Sequence, residues 1–163
     1  MIDKLFLFVD GSADPKLKIG CGAYLPVNEN ELRLDSKSAQ VKVNLFRETS
    51  STKLELQTLI WALTEIRESS RKIVVFTDSQ NIIGLLKRQK RLEQSNYHSK
   101  TGKLLKNHEL YRKFYEIMNQ LDCELIKVKG HLSSMQKDDM DRLFTLVDRA
   151  SRKALQDVKK MIQ

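Results

Sequence analysis

The sequence predicts an α/β fold: a five-stranded mixed sheet, three antiparallel strands and then parallel ones, flanked by helices. Two short continuous apolar runs, 4–9 (KLFLFV) and 72–77 (KIVVFT), have the length and residue types of buried strands and no helical spacing. Between them, 52–68 changes period, placing Leu56, Leu59, Ile60, Leu63 and Ile66 on one wide apolar helix face. The first 46 residues hold three strand-like segments joined by short polar connections, which suit antiparallel but not parallel pairing.

Strand one stops at Asp10, and the following GSADPKLKIG reads as a turn for its Gly, Ser, Asp and Pro. Strand two covers about 20–26; a polar turn at 28–30 then leads to alternating segments within 31–46 that suit a third, more exposed strand. Ser50, Ser51 or Thr52 would cap the helix over 52–68. The strand at 72–77 ends on Asp78, and SQNIIGLLKRQKR beyond it is helical. After a polar stretch through Gly102, a further helix over about 107–120 sets Leu110, Phe114, Ile117 and Leu121 on one side. The last strand is 123–128, and 138–162 is a long amphipathic helix carrying Leu143, Val147, Ala150, Ala154, Val158 and Met161. The order βββαβ, helices, β, α is that of a mixed sheet with helices packed on it.

A chain of 163 residues fits one domain over 1–163, large enough to bury roughly 70% of the surface its unfolded form exposes. With 40% apolar and 31% charged residues, 6 Gly and 2 Pro, the composition is globular rather than disordered or fibrous. Cys21 and Cys123 lie far apart without CxxC spacing, which argues against a disulfide framework or a zinc site and for buried free thiols. The apolar run at the N-terminus is too short for a signal-peptide core or a membrane span, so a cytoplasmic, membrane-free protein is expected. A formal charge of +8 suggests a polyanionic partner.

Both buried strands run into an aspartate. If they are parallel neighbours joined through the helix at 52–68, Asp10 and Asp78 lie side by side where open α/β sheets bind ligands. Glu55 sits in the first turns of that helix among Leu54, Leu56 and Leu59, an apolar setting for a carboxylate. Any one of these acids alone is what a strand end or helix cap also looks like. Three on one edge would repel each other unless a cation is present, and hard oxygen ligands favour Mg²⁺ or Mn²⁺ over zinc.

FVDGSADPKLKIGCGAYL, TKLELQTLIWAL, VVFTDSQNIIGLL and KVKGH resemble, in order and spacing, the successive motifs of ribonuclease HI: strand-DGS with a GxGAY-like strand, helix-Glu, strand-TDSQ, and VKGH before a last acidic helix. DGS alone is common; the four in sequence, over nearly the whole chain, are specific. The resemblance implies the ribonuclease H-like fold and an endonuclease that cuts the RNA strand of RNA/DNA hybrids, leaving 5′-phosphate and 3′-hydroxyl ends by a two-metal mechanism. It implies two Mg²⁺ ions, with Mn²⁺ able to substitute, and a monomer. Asp10, Glu55 and Asp78 match the first three metal-binding carboxylates, and His131 the mobile histidine that assists proton transfer or product release.

The fourth carboxylate departs from the family pattern, because LSSMQKDDMDRLFTLVDRASRKAL after His131 lacks the usual Gly and Asn-Glu pair. Distance from His131 favours Asp141. The local pattern favours Asp148, since DRASRK carries a small residue where DRLFT carries Phe144. The motif selects Asp148, with Asp141 as its rival; seven residues apart on one helix, they are about 10.5 Å apart along its axis, so one of them reaches the metals.

Residues 87–113 hold nine Lys or Arg against Glu93 and Glu109, with Tyr97 and Tyr111 interleaved as where a nucleic-acid backbone and bases are gripped. A solvated helix face is the plainer account of such a charge run. The stretch resembles the basic protrusion of bacterial ribonucleases HI, a helical feature at about 87–106, and assigns Lys87, Arg88, Lys90, Arg91, Tyr111 and, beyond it, Lys129 to nucleic acid. By the same resemblance Gly11, Ser12 and Gln80 touch the RNA sugar, where the 2′-hydroxyl distinguishes RNA from DNA. Ser50, Ser51 and Asn107 match positions that bind the DNA strand. Two rival functions share the fold: another nuclease of the ribonuclease H-like superfamily, and a weakly active or non-catalytic hybrid-binding protein.

Overall fold

The computed structural model describes residues 4–33, 39–66, 71–128 and 134–162, the side chains of 134–138 apart. Its five strands lie in the order β3-β2-β1-β4-β5. β1 (Lys4–Asp14), β2 (Ile19–Asn28) and β3 (Lys42–Arg47) pair antiparallel, and β4 (Lys72–Thr77) and β5 (Cys123–Lys127) continue the sheet in parallel from β1. Four helices complete the fold: α1 (Ser51–Ile66), α2 (Gln80–Gln94), α3 (His108–Gln120) and α4 (Ser134–Ile162).

The two-residue period of the strands sorts the core into two layers. Leu7 and Val9 of β1, with Ile73 and Val75 of β4, point to the face covered by α1, α2 and α3, where Leu56, Leu59, Leu63, Ile82, Leu85, Phe114 and Ile117 are buried. Phe6 and Phe8, with Val74 and Phe76, point to the opposite face, where Met140, Leu143 and Val147 of α4 pack on them. Asp10 is the next residue in the row of Phe6 and Phe8.

The turn expected over GSADPKLKIG is much shorter than its composition suggests. β1 continues to Asp14 and pairs with β2 as far as Asp14↔Ile19, leaving only 15–18 as the turn. The Asp14 carboxylate closes it by accepting the Lys16 and Leu17 N–H groups at 2.9 and 3.1 Å, and Lys18 takes a left-handed φ of 55°. The glycines that mimic a turn serve packing. A Cβ on Gly20 would lie 2.6 Å from Leu54 Cδ2 and one on Gly22 only 2.1 Å from Thr58 Oγ1, so their absence lets α1 lie against the sheet.

Other boundaries moved less. The third strand is the last part of its expected span, α2 starts at Gln80 with Ser79 as its cap, and α4 starts at Ser134 rather than 138. The basic 87–106 stretch is helical only to Gln94, after which turns run past a single bridge between His98 and Leu104. Among the described residues no helix is long and apolar enough to cross a membrane. Cys21 and Cys123 are free thiols, the first buried and the second half-buried.

Candidate active site

β1 does not end at Asp10; its parallel partner does. The β1–β4 ladder closes at Phe8↔Phe76 while the β1–β2 ladder runs on, so Asp10 lies on a continuing strand just past the point where β4 stops. Asp78 follows the last residue of β4 directly, and Glu55 enters from the second turn of α1. A small crevice lined by Val9, Asp10, Gly11, Glu55, Thr58, Thr77 and Asp78 joins the three. Ser50 sets where α1 begins, its hydroxyl accepting the Lys53 N–H at 3.3 Å, and thereby which turn carries Glu55.

Burial, then the Asp78 charge and the Asp148 side chain, push the Asp10 carboxyl up to about 7, against a hydrogen bond from the Gly11 backbone that pulls it down. Asp148 on α4 is half-buried and near enough for its side chain and charge to raise Asp10, whereas Asp141 is exposed. Arg152, one turn on, donates to Asp148 Oδ1 at 3.1 Å. Glu55 is raised as well, first by burial and then by Asp78, while the Ser79 hydroxyl, donating to Glu55 Oε2 at 2.6 Å, opposes the rise. Among the described residues no three His, Cys, Asp or Glu side chains stand close enough to enclose a metal ion as positioned. The acids are instead held in two sets, Asp10 with Asp148 and Glu55 with Ser79, with Asp78 near enough to both to raise Asp10 and Glu55. His131 and Lys129 lie outside the described residues.

The remaining residues fall into three places. Gly11 and half-buried Ser12 continue β1 beside Asp10, and Gln80, exposed at the first position of α2, accepts a hydrogen bond from Lys127 Nζ at 2.8 Å. Ser50 and Asn107 share a groove of about 350 Å³ with Pro15, Lys18, Glu48, Thr49, Lys53 and Lys106, and exposed Ser51 opens α1 next to it. Asn107 occupies the N-cap position of α3 yet makes no side-chain cap bond. Arg88, Arg91 and Tyr111 line a second groove of about 350 Å³ together with Lys100 and His98, and Lys87 and Lys90 are exposed on α2.

Two of these groups are less available than the charge pattern suggests. Arg88 turns back on its own helix, donating to the Asn81 side chain at 3.0 Å and to the Asn81 and Gly84 carbonyls at 3.3 and 3.4 Å. Tyr97, read as a gripping aromatic, is 6% exposed and belongs to the core under α2 and α3, with Arg112 stacked 4.6 Å from its ring. Its apolar ring gains more by burial than by solvent contact, and a basic sequence neighbourhood cannot reveal that. Ser79, Lys18 and Lys53 were not singled out from sequence. Lys53 had a signal, three residues after the cap of a helix whose N-terminus suits a phosphate.

The family model described as RNase H matches residues 3–153. The chain belongs to the RNase H family. It is 30% identical over 101 residues to the ribonuclease H of Clostridium botulinum (strain Hall), a match spanning 60% of this chain and just under two thirds, 66%, of that protein. It is 25% identical over 139 residues to the ribonuclease H of Novosphingobium aromaticivorans, covering 84% of this chain and 91% of the relative. Among solved structures, this RNase H chain is similar to a foamy viral protease-reverse transcriptase in complex with dsDNA, with TM-score 0.65, 8% identity, and 92% and 94% of the two chains covered. The same viral protein in complex with an RNA/DNA hybrid gives TM-score 0.62 at 9% identity, covering 92% of this chain and 20% of that one. At such identities the likeness concerns the fold, which is the RNase H sheet order with α4 across its back.

Proposed function

We propose that this protein is a metal-dependent endoribonuclease that hydrolyses the RNA strand of RNA/DNA hybrids, leaving 5′-phosphate and 3′-hydroxyl ends. The observation that carries the proposal is the gathering of Asp10 on β1, Glu55 on α1, Asp78 just past β4 and Asp148 on α4 at one sheet edge of a chain in the RNase H family. The carboxylates fit a hard divalent cation: all donors are oxygens, and the crowding that lifts the Asp10 carboxyl to about 7 is what a cation relieves. Asp10, Glu55, Asp78 and Asp148 would hold two Mg²⁺ ions, with Mn²⁺ able to substitute. Bound there, the metal supplies Lewis acidity to the attacking water and to the scissile phosphate.

The chain's own residues supply position. β1 and β4 fix Asp10 and Asp78 on rigid backbone, and α4, packed through Met140, Leu143 and Val147, brings Asp148 to Asp10. Gly11, Ser12 and Gln80 would read the RNA sugar, and Lys129, with Lys87, Arg88, Lys90, Arg91 and Tyr111, the backbone. The Ser50–Asn107 groove, with Ser51 beside it and Lys18, Lys53 and Lys106 around it, would seat a phosphate of the DNA strand. Water oxygen forms a bond to phosphorus as the bond to the 3′-oxygen breaks, and His131 would assist the proton transfer to the leaving group or product release. A monomer is proposed, and its two free thiols suit a reducing, cytoplasmic setting.

The test is cleavage of an end-labelled hybrid, duplex DNA and single-stranded RNA by purified protein with Mg²⁺ or Mn²⁺, alongside Asp10→Asn. Cleavage of the hybrid's RNA strand by the wild type alone supports the proposal. Hybrid binding without cleavage in either metal would make it a hybrid-binding protein, and preference for DNA would make it another nuclease.

A further inference from the structure

We propose that Ser79 is a positioning residue for Glu55, its single hydroxyl tying the orientation of that carboxylate to the N-terminus of α2. The role presupposes the hydrolase function proposed above. Ser79 Oγ donates its proton to Glu55 Oε2 at 2.6 Å, a length typical of charge-assisted O–H···O⁻ bonds, and accepts the Ile82 N–H at 3.2 Å as the cap of α2. The two bonds support each other. A hydroxyl has one proton, and accepting an N–H from a helix start polarises it into a stronger donor.

The serine cannot readily turn away. It is 4% exposed, its backbone N–H is engaged by Thr77 Oγ1 at 3.1 Å, and it lies two residues past the end of β4. Among the described residues it is the one side chain hydrogen-bonded to Glu55, which otherwise stands beside the buried Leu54, Leu56 and Leu59. Glu has three side-chain torsions, so an unrestrained Glu55 would sample several carboxylate positions. Asp78 and Ser79 thus act as a pair from one strand end: the first contributes a carboxylate, the second aims one from α1.

The experiment compares Ser79→Gly, Ser79→Asp and Ser79→Thr with wild type and Glu55→Gln. Gly caps a helix almost as well as Ser, Asp caps as well but cannot donate to Glu55, and Thr keeps both functions. Hybrid cleavage gives kcat and KM, and thermal melts with and without Mn²⁺ give a readout independent of turnover. Expected for Ser79→Gly and Ser79→Asp are a kcat lower by about 10- to 100-fold, a KM within about twofold and a smaller Mn²⁺-induced rise in melting temperature, all restored in Ser79→Thr. If both non-donating variants keep wild-type kcat and Mn²⁺ response while Glu55→Gln loses them, Ser79 is a cap only and the inference is overturned. If Ser79→Thr fails alongside them, the hydroxyl is not the cause, and the inference is overturned as well. A wild type that neither cleaves hybrid nor responds to Mn²⁺ would overturn the hydrolase proposal itself, a result distinct from either.

Discussion

Asp148 on α4 stands near enough to Asp10 on β1 for its side chain and charge to raise the Asp10 carboxyl, while Asp141, two helical turns toward the N-terminus of α4, is exposed. The approach follows from the sheet pleat: Asp10 extends the row of Phe6 and Phe8 that faces α4, and Asp148 follows Val147, which packs on that row. Asp148→Asn should therefore lower single-turnover hybrid cleavage by at least about 100-fold, and Asp141→Asn by no more than about threefold. Loss of cleavage in Asp141→Asn with retention in Asp148→Asn would reverse the assignment.

The crowded acids make the metal-free protein sensitive to pH. An Asp10 carboxyl lifted to about 7 keeps its proton in the folded chain at pH values where the unfolded chain, near 3.8, has lost it. The folded state then binds more protons, so stability falls as pH rises from about 4 to about 7 and levels off above. In EDTA the melting temperature should drop across that interval. Asp78→Asn, which removes a charge acting on both Asp10 and Glu55, should melt higher than wild type at pH 8, by about 2–4 °C for each kcal/mol relieved. An equal or lower melting temperature for Asp78→Asn in EDTA would show that the carboxylates do not strain one another.

Most of this fold was legible in apolar period alone. KLFLFV and KIVVFT became β1 and β4, and the three- and four-residue spacing of Leu56, Leu59 and Leu63 became α1. The strand segment around Gly11 was not legible, because glycine lowers strand propensity and the helix contact that selects it is a long-range property. Asp10, Glu55 and Asp78 were visible as acids in apolar settings. Choosing between Asp148 and Asp141 needed the level at which α4 crosses the sheet, and the burial of Tyr97 needed the packing of α2 on α3. Ser79 read from sequence as part of a motif; that its hydroxyl faces Glu55 depends on how α1 lies against β4.

The glycines facing α1 can be tested directly. Gly22→Ala puts a Cβ 2.1 Å from Thr58 Oγ1 and under 3 Å from its Cγ2 and Cβ, all on a 1%-exposed residue of a packed helix. The expected cost is about 1–3 kcal/mol. Thr58→Ala removes the two nearest atoms of the clash but not the third, so the double variant should recover most of the loss in denaturant unfolding. Additive losses would mean that the helix moves away instead of clashing.

The groove around Ser50 and Asn107 makes the last prediction. Lys18, Lys53 and Lys106 approach it from the β1–β2 turn, the first turn of α1 and the residue before Asn107, and the start of α1 at Ser50–Ser51 adds the positive end of a helix dipole. Such a site attracts phosphate without reading sequence, and none of its lining residues lines the crevice of the acids, which separates holding from cutting. Changing any of the three to Met keeps the stem and removes the charge. Each change should raise KM for hybrid a few-fold with kcat unchanged and lower the salt dependence of binding by about one unit of slope. Binding of Asp10→Asn protein to hybrid between about 50 and 200 mM salt measures the slope free of cleavage. A fall in kcat at constant KM would instead tie these lysines to the chemical step.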